Sequence, residues 1–234
     1  MREDDSQELR RLALFRDMQE DLFEALVRVS YLQAFPPAID LLREGDQADF
    51  LHVLIEGSVE LHAAWNGAET TMAILNPVST FILAATIADQ PCLMSARTLE
   101  KTRVILLPSE DVRAIFRKDR AFADAIVVEL AHCYRDMVRH AKGVKLRSAL
   151  VRLANYLLQL RHEQAGDVIA LPVEKRRLAA YLGMRPENLS RAFATLRDYG
   201  VSVDGAAVRL ADPAALERLA RPNPLIDGAV CGGA

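Results

Sequence analysis

Near the start of the chain, apolar residues recur at helical spacing. Leu22, Leu26 and Val29 share one side of a stretch from Gln19 to Val29, and a shorter amphipathic stretch runs from Gln7 to Leu14 before it. From Ala34 to Pro108 the period changes. Short alternating or wholly apolar runs are broken at Glu44-Gly45-Asp46, Glu56-Gly57, Asn66-Gly67, Asn76-Pro77 and Asp89-Gln90-Pro91, which is the pattern of a set of β-strands. Asn66-Gly67 stands between Val59-Glu60-Leu61-His62 and Thr71-Met72-Ala73-Ile74. A two-residue reversal needs positive φ, which Asn and Gly tolerate, so this pair predicts a hairpin.

Helical periodicity returns after Pro108. From Phe122 to Val144, the residues Ile126, Leu130, Cys133, Met137, Ala141 and Val144 form one apolar stripe, while Asp124, Glu129, Arg135, Asp136 and Arg139 take the other faces. Such a helix is expected to pair with a copy of itself, with Gly143 as a hinge at its end. A helix is predicted from Lys145 to Glu163, a turn at Gly166-Asp167, helices from Val173 to Leu182 and from Pro186 to Tyr199, and a hairpin from Val201 to Leu210 turning at Asp204-Gly205. Helix, short Gly-containing turn, helix and hairpin is the order of a winged helix-turn-helix. Pro222 to Ala234, rich in Pro and Gly, is predicted to be a loose tail.

Charge sharpens this division. Met1 to Gly143 holds 16 Lys and Arg against 23 Asp and Glu, a net of -7, whereas Val144 to Pro222 holds 13 against 8, a net of +5. A basic C-terminal third on an acidic body is the signature of a phosphate-binding module joined to something else. No apolar run approaches the roughly 20 residues of a membrane span. Met1 to Gln7 is acidic, unlike a signal peptide, and Cys92, Cys133 and Cys231 are too few and scattered for a disulfide framework, so a reducing cytoplasm is the expected location. No Gly-rich phosphate loop, paired carboxylate or nucleophile beside a base stands out. Ser190 and His52 belong to different elements, so no catalytic residue is assigned and an enzyme is not expected.

In the predicted helix-turn-helix, Leu178, Leu182, Leu189, Phe193 and Leu196 can share one core, Gly183 makes the sharp turn, and Pro186 suits the first turn of the second helix. With Leu189 and Phe193 buried, Glu187, Ser190 and Arg191 project together near that helix's N-terminus. Arg can bond both acceptors of a guanine, a carboxylate can accept from the cytosine amino group, and a hydroxyl serves either role or meets a thymine. Arg147, Lys175, Arg176 and Arg185 are candidates for phosphate contacts on double-stranded DNA.

These features together resemble the CRP/FNR family from about Leu12 to Leu219. Glu44-Gly45-Asp46, Ile55-Glu56-Gly57, the long linking helix and Glu187-x-x-Ser190-Arg191 fall in the family's order. The resemblance implies an α+β protein. It would comprise an antiparallel β-roll of the jelly-roll type with N-terminal helices over residues 1–118, a dimerisation helix and hinge over 119–144, a winged helix-turn-helix over 145–222 and a tail over 223–234. It implies a homodimeric transcription regulator on near-palindromic promoter DNA, with RNA polymerase as a further partner. Glu187, Ser190 and Arg191 look like the reading motif of the FNR branch, for cytosine, thymine and guanine of a TTGA-type half-site. Arg185 departs from the small capping residue usual there and is expected to hold a phosphate instead.

The sensor half departs further. Cyclic-nucleotide-binding relatives carry Gly-Glu for the ribose and Arg-Ser-Ala or Arg-Thr-Ala for the phosphate. Laid on Phe81-Ile82-Leu83-Ala84-Ala85 and Met94-Ser95-Ala96, those positions become Leu83, Ala84 and Met94. Burying a phosphate without a counter-charge is costly, so cyclic AMP is not expected to bind. Arg97, an odd displacement from Met94, should face the other side of a strand. Three cysteines exclude a four-Cys iron-sulfur cluster. Haem or iron would need His52, His62, Cys92, Cys133 or His140, with His52 and Cys92 each more readily explained as structural. A small apolar effector lined by Leu83, Ala84, Met94 and Ser95 is equally admissible. The sequence is also loosely similar to ferrous-iron-uptake regulators within the family.

Overall fold

The computed structural model describes residues 3–227, which divide into two compact units, one ending at Tyr134 and the other beginning at Arg135. The architecture is α+β. The first unit opens with α1 (Glu3–Arg11) and α2 (Glu20–Val29) and continues through β1 (Tyr31–Phe35), β2 (Asp40–Leu42), β3 (Phe50–Glu56), β4 (Val59–Trp65), β5 (Ala68–Leu75) and β6 (Ser79–Phe81). Then come α3 (Leu83–Ala88), β7 (Ser95–Thr98), β8 (Thr102–Pro108), α4 (Ser109–Phe116) and the 27-residue α5 (Arg120–Leu146), which crosses into the second unit.

The strands form two four-stranded antiparallel sheets, ordered β1-β8-β3-β6 and β2-β7-β4-β5. Leu54, Val59, Leu61, Phe81, Ala96 and Val104 fill the space between them. Leu51, Val53, Ile55, Ile105 and Leu107 point the other way and pack with Leu9, Phe15, Phe23, Leu26 and Phe122 from the helices. β3 is covered on both faces, which is why Val53, Leu54 and Ile55 are consecutive apolar residues rather than an alternation. β4 and β5 pair from Val59↔Leu75 to Trp65↔Ala68, and the reversal falls on Asn66 and Gly67, both at positive φ. Trp65 stands beside this turn at 80% exposure. Gly57, at φ 83°, lies so close to the neighbouring chain that a Cβ would sit 2.5 Å from the Lys101 carbonyl oxygen.

Two expectations for this unit are corrected. The first helix lies earlier than Gln7 to Leu14: it ends at Arg11, and Leu14 and Phe15 fold from the following turns into the core. Phe81 to Ala85 is not one strand end. The sheet stops at Phe81, Ile82 turns into the left-handed region at φ 67°, and α3 begins at Leu83.

The second unit contains the end of α5, α6 (Ala149–Glu163), β9 (Val168–Ala170), α7 (Lys175–Tyr181), α8 (Pro186–Leu196), a 3-10 turn (Arg197–Tyr199), β10 (Val201–Asp204), β11 (Ala207–Leu210), α9 (Pro213–Ala220) and α10 (Pro224–Asp227). β10, β11 and β9 make a small antiparallel sheet. Leu153, Leu157, Leu178, Leu182, Leu189, Phe193, Leu196, Val208 and Leu216 form a continuous core. Gly143 is not a hinge in the backbone: α5 passes through it to Leu146, and α6 starts at a separate signal, the Ser148 hydroxyl accepting the Val151 N–H at 3.3 Å. The expected tail is ordered in part. Asn223 caps α10, its side-chain oxygen accepting the Leu225 N–H at 2.9 Å, while residues 228–234, with Cys231, lie outside the described residues.

Candidate nucleic-acid interface

α7 and α8 are joined by a sharp turn in which Gly183 adopts φ 63°. Arg185 occupies the N-cap of α8 in extended geometry, without a side-chain cap. Its carbonyl accepts the Asn188 and Leu189 N–H groups at 3.0 and 3.1 Å, and Pro186 opens the first turn. Leu189, Ala192, Phe193 and Leu196 are buried, which fixes the roll of the helix about its axis. Glu187, Ser190 and Arg191 are all exposed and, at spacings of three and four, share the opposite face, followed one turn later by Ala194 and Thr195. The Thr195 hydroxyl donates to the Arg191 carbonyl at 3.1 Å.

Lys175 and Arg176, at the start of α7, and Arg185 are exposed, whereas Arg147 is not available in the same way. Both of its terminal nitrogens donate to the Asp227 carboxylate, one at 2.6 Å, and only 11% of its side chain is exposed. Its assignment to phosphate is corrected on that ground.

Sequence reasoning missed Arg152. From α6 it donates to the carbonyls of Arg147 (2.7 Å), Leu182 (2.8 Å), Gly183 (3.2 Å) and Val144 (3.3 Å). Burial lowers its pKa. Nearby, the His140 and Tyr156 rings each lie 5.8 Å from Tyr181. Burial pushes both tyrosines up and His140 down, with Arg152 adding to the shift of His140.

Along α5 the residues expected to form a pairing stripe differ in exposure. Ile126 is fully buried and Leu130 partly so, both in the core of their own unit with Phe122. Cys133, Met137 and Ala141 are exposed. A second exposed apolar row is Val127, Ala131, Tyr134, Val138 and Ala141, at alternating spacings of four and three, with Tyr134 at 69% exposure.

The four residues expected to line an effector pocket are not gathered into one lining. Leu83 packs in the helix-side cluster, Ala84 is exposed, and Met94 packs between the sheets. Ser95 accepts the Glu44 N–H at 2.9 Å. Arg97 is held at 3.0 Å by Asp40 and 3.4 Å by Glu69, and the bond to Asp40 raises its pKa. His52 is buried, with Nδ1 3.0 Å from the Phe50 carbonyl and its ring 4.8 Å from Phe81. Burial lowers its pKa to about 4. Cys92 is buried, which raises its pKa, and its N–H donates to the Asp46 carbonyl at 2.8 Å. Among the described residues, no group of three or more His, Cys, Asp and Glu could hold a metal ion, and no helix is long and apolar enough to cross a membrane.

Comparison with known proteins agrees with this geometry. Residues 32–119 match the cyclic nucleotide-binding domain family and residues 151–219 the Crp-like helix-turn-helix domain family. The CRP-like cAMP-activated global transcriptional regulator of Mycobacterium tuberculosis is 23% identical over 220 residues, spanning 91% of this chain and 98% of that protein. The cyclic AMP receptor protein of Thermus thermophilus is 27% identical over 201 residues, 84% of this chain and 92% of that one. The solved structure of FixK2 from Bradyrhizobium japonicum superposes with a TM-score of 0.71 at 21% identity, covering 82% of this chain and 97% of that one.

Proposed function

The chain belongs to the CRP/FNR family of transcription regulators, and from that premise we propose that it reads TTGA-type half-sites of near-palindromic promoter DNA as a homodimer, under a signal other than a cyclic nucleotide. The observation that carries the reading is the exposure of Glu187, Ser190 and Arg191 on one face of α8, rotated outward by the burial of Leu189 and Phe193. Near the start of a helix in the major groove, these three match cytosine, thymine and guanine. Lys175, Arg176 and Arg185 are the phosphate contacts that set the register. Two copies joined along Val127, Ala131, Tyr134, Val138 and Ala141 would present two α8 helices about 34 Å apart, one turn of DNA. RNA polymerase is the expected further partner at the promoter.

Two observations support a signal other than a cyclic nucleotide. Leu54, Val59, Leu61, Phe81, Ala96 and Val104 pack together between the sheets, and Arg97 is already paired with two carboxylates. A buried phosphate diester would have to compete with Asp40 and Glu69 for Arg97.

The deciding experiment is a base-by-base binding assay on a two-half-site duplex. Arg191→Ala should weaken binding by roughly 1–3 kcal/mol and relax the preference for guanine at one position in each half-site. Unchanged selectivity would reject the reading.

A further inference from the structure

We infer that Arg152 fixes the attitude of the reading helix α8 on the end of the linking helix α5, and so sets which half-site spacing the dimer accepts; this rests on the DNA-reading function proposed above. The last-turn carbonyls of a helix lack intrahelical partners. At the end of α5, Val144 and the adjoining Arg147 find theirs in the Arg152 guanidinium, at 3.3 and 2.7 Å. Nε and Nη2 of the same group donate to Leu182 and Gly183, at 2.8 and 3.2 Å, in the turn that launches α8. One planar cation therefore joins the exit of the linking helix to the entrance of the reading helix. A guanidinium can do this because its donors diverge in a fixed plane, whereas an ammonium is a single point of donation.

Two neighbouring contacts point the same way. A Cβ at Gly183 would lie 3.3 Å from a Val144 methyl, so the turn packs tightly against α5. The Tyr181 ring, at the end of α7, lies against His140 on α5 and Tyr156 on α6. Residues from Arg135 onward, the distal part of α5 included, form one compact unit with α8.

In a dimer paired along α5, an error in the angle between α5 and α8 is doubled at the DNA. Changing the spacer by one base pair moves a half-site by about 3.4 Å and turns it by about 35°, so a rigid joint should reject such sites and a loose one accept them.

The test uses the full chain and three kinds of duplex: a single half-site, two half-sites at the best spacing, and two half-sites with the spacer one base pair longer or shorter. For the unaltered protein, the best spacing should be favoured by roughly tenfold, comparable to the loss of one good base contact. Arg152→Gln should bind the single half-site as the parent does while that discrimination collapses toward one. Arg152→Lys, which keeps the charge and the packed stem, should fall between them and supplies a folded comparison if the glutamine variant unfolds. A folded Arg152 variant with the parent's spacing profile would overturn the inference, as would equal losses on all three duplexes, the mark of a merely structural role. Failure of the unaltered protein to prefer any two-half-site duplex would instead overturn the function beneath it.

Discussion

Arg147 and Asp227, eighty residues apart in the chain, form a two-pronged ion pair, and the same carboxylate also accepts the Asn223 N–H at 2.7 Å. The C-terminal turn thus occupies a cation that would otherwise be open to DNA. Arg147→Ala is expected to leave the dependence of log affinity on log salt unchanged, whereas removal of Lys175, Arg176 or Arg185, each lost from both protomers, should lower the slope by about 1.8. Asp227→Asn should steepen it by a similar amount. Anisotropy titrations over a range of KCl concentrations decide this, and an equal loss on removing Arg147 and Arg185 would refute it.

The row proposed for pairing on α5 makes a second expectation. A charge at Val138, as in Val138→Glu, should convert a dimer to a monomer in sedimentation velocity and weaken two-half-site binding while sparing the single half-site. Cys133→Ser, off that row, should do neither. Ile126→Ala should leave assembly intact and instead destabilise its own unit by about 2–5 kcal/mol, as cavities do in cores.

Cyclic AMP should produce no saturable heat in calorimetric titration against the purified protein and no change in its DNA affinity. Micromolar binding would show that the apolar interior between the sheets rearranges to admit an anion.

His52 makes stability depend on pH with a defined sign. Burial holds its folded pKa at about 4 against 6.5 in the open chain, opposed in part by the Phe50 carbonyl. Between these values the unfolded chain takes up a proton that the folded one refuses. Its contribution is therefore intact above about pH 6.5 and is lost as pH falls toward 4, by up to roughly 3 kcal/mol. His52→Phe should flatten this part of the profile in urea titrations at pH 7.5 and 5. An unchanged difference between the two would exclude His52 as the source.

Where local chemistry dictated geometry, the sequence was a good guide. Asn66-Gly67 permits a tight reversal, and Leu189 with Phe193 leaves only one way for Glu187, Ser190 and Arg191 to face. Phase was harder to read. Ile126, Val127 and Val128 are consecutive and apolar, so the stripe could be drawn through either of two adjacent rows, and only packing against Phe122 shows that Ile126 belongs inside. Phe81 to Ala85 has no period at all, and a left-handed Ile82 carries no residue signal because β-branched residues rarely adopt that conformation. Arg152 was invisible for another reason: its acceptors are all backbone carbonyls, which every residue owns.

The hairpin that reverses at Asn66-Gly67 also carries the chain's single tryptophan, held in water beside the turn rather than in either core. Its emission therefore watches one loop tip instead of the folded interior. Quenching of that signal when promoter DNA, a second protomer or polymerase is added would place the newcomer at this corner of the first unit, with no label attached.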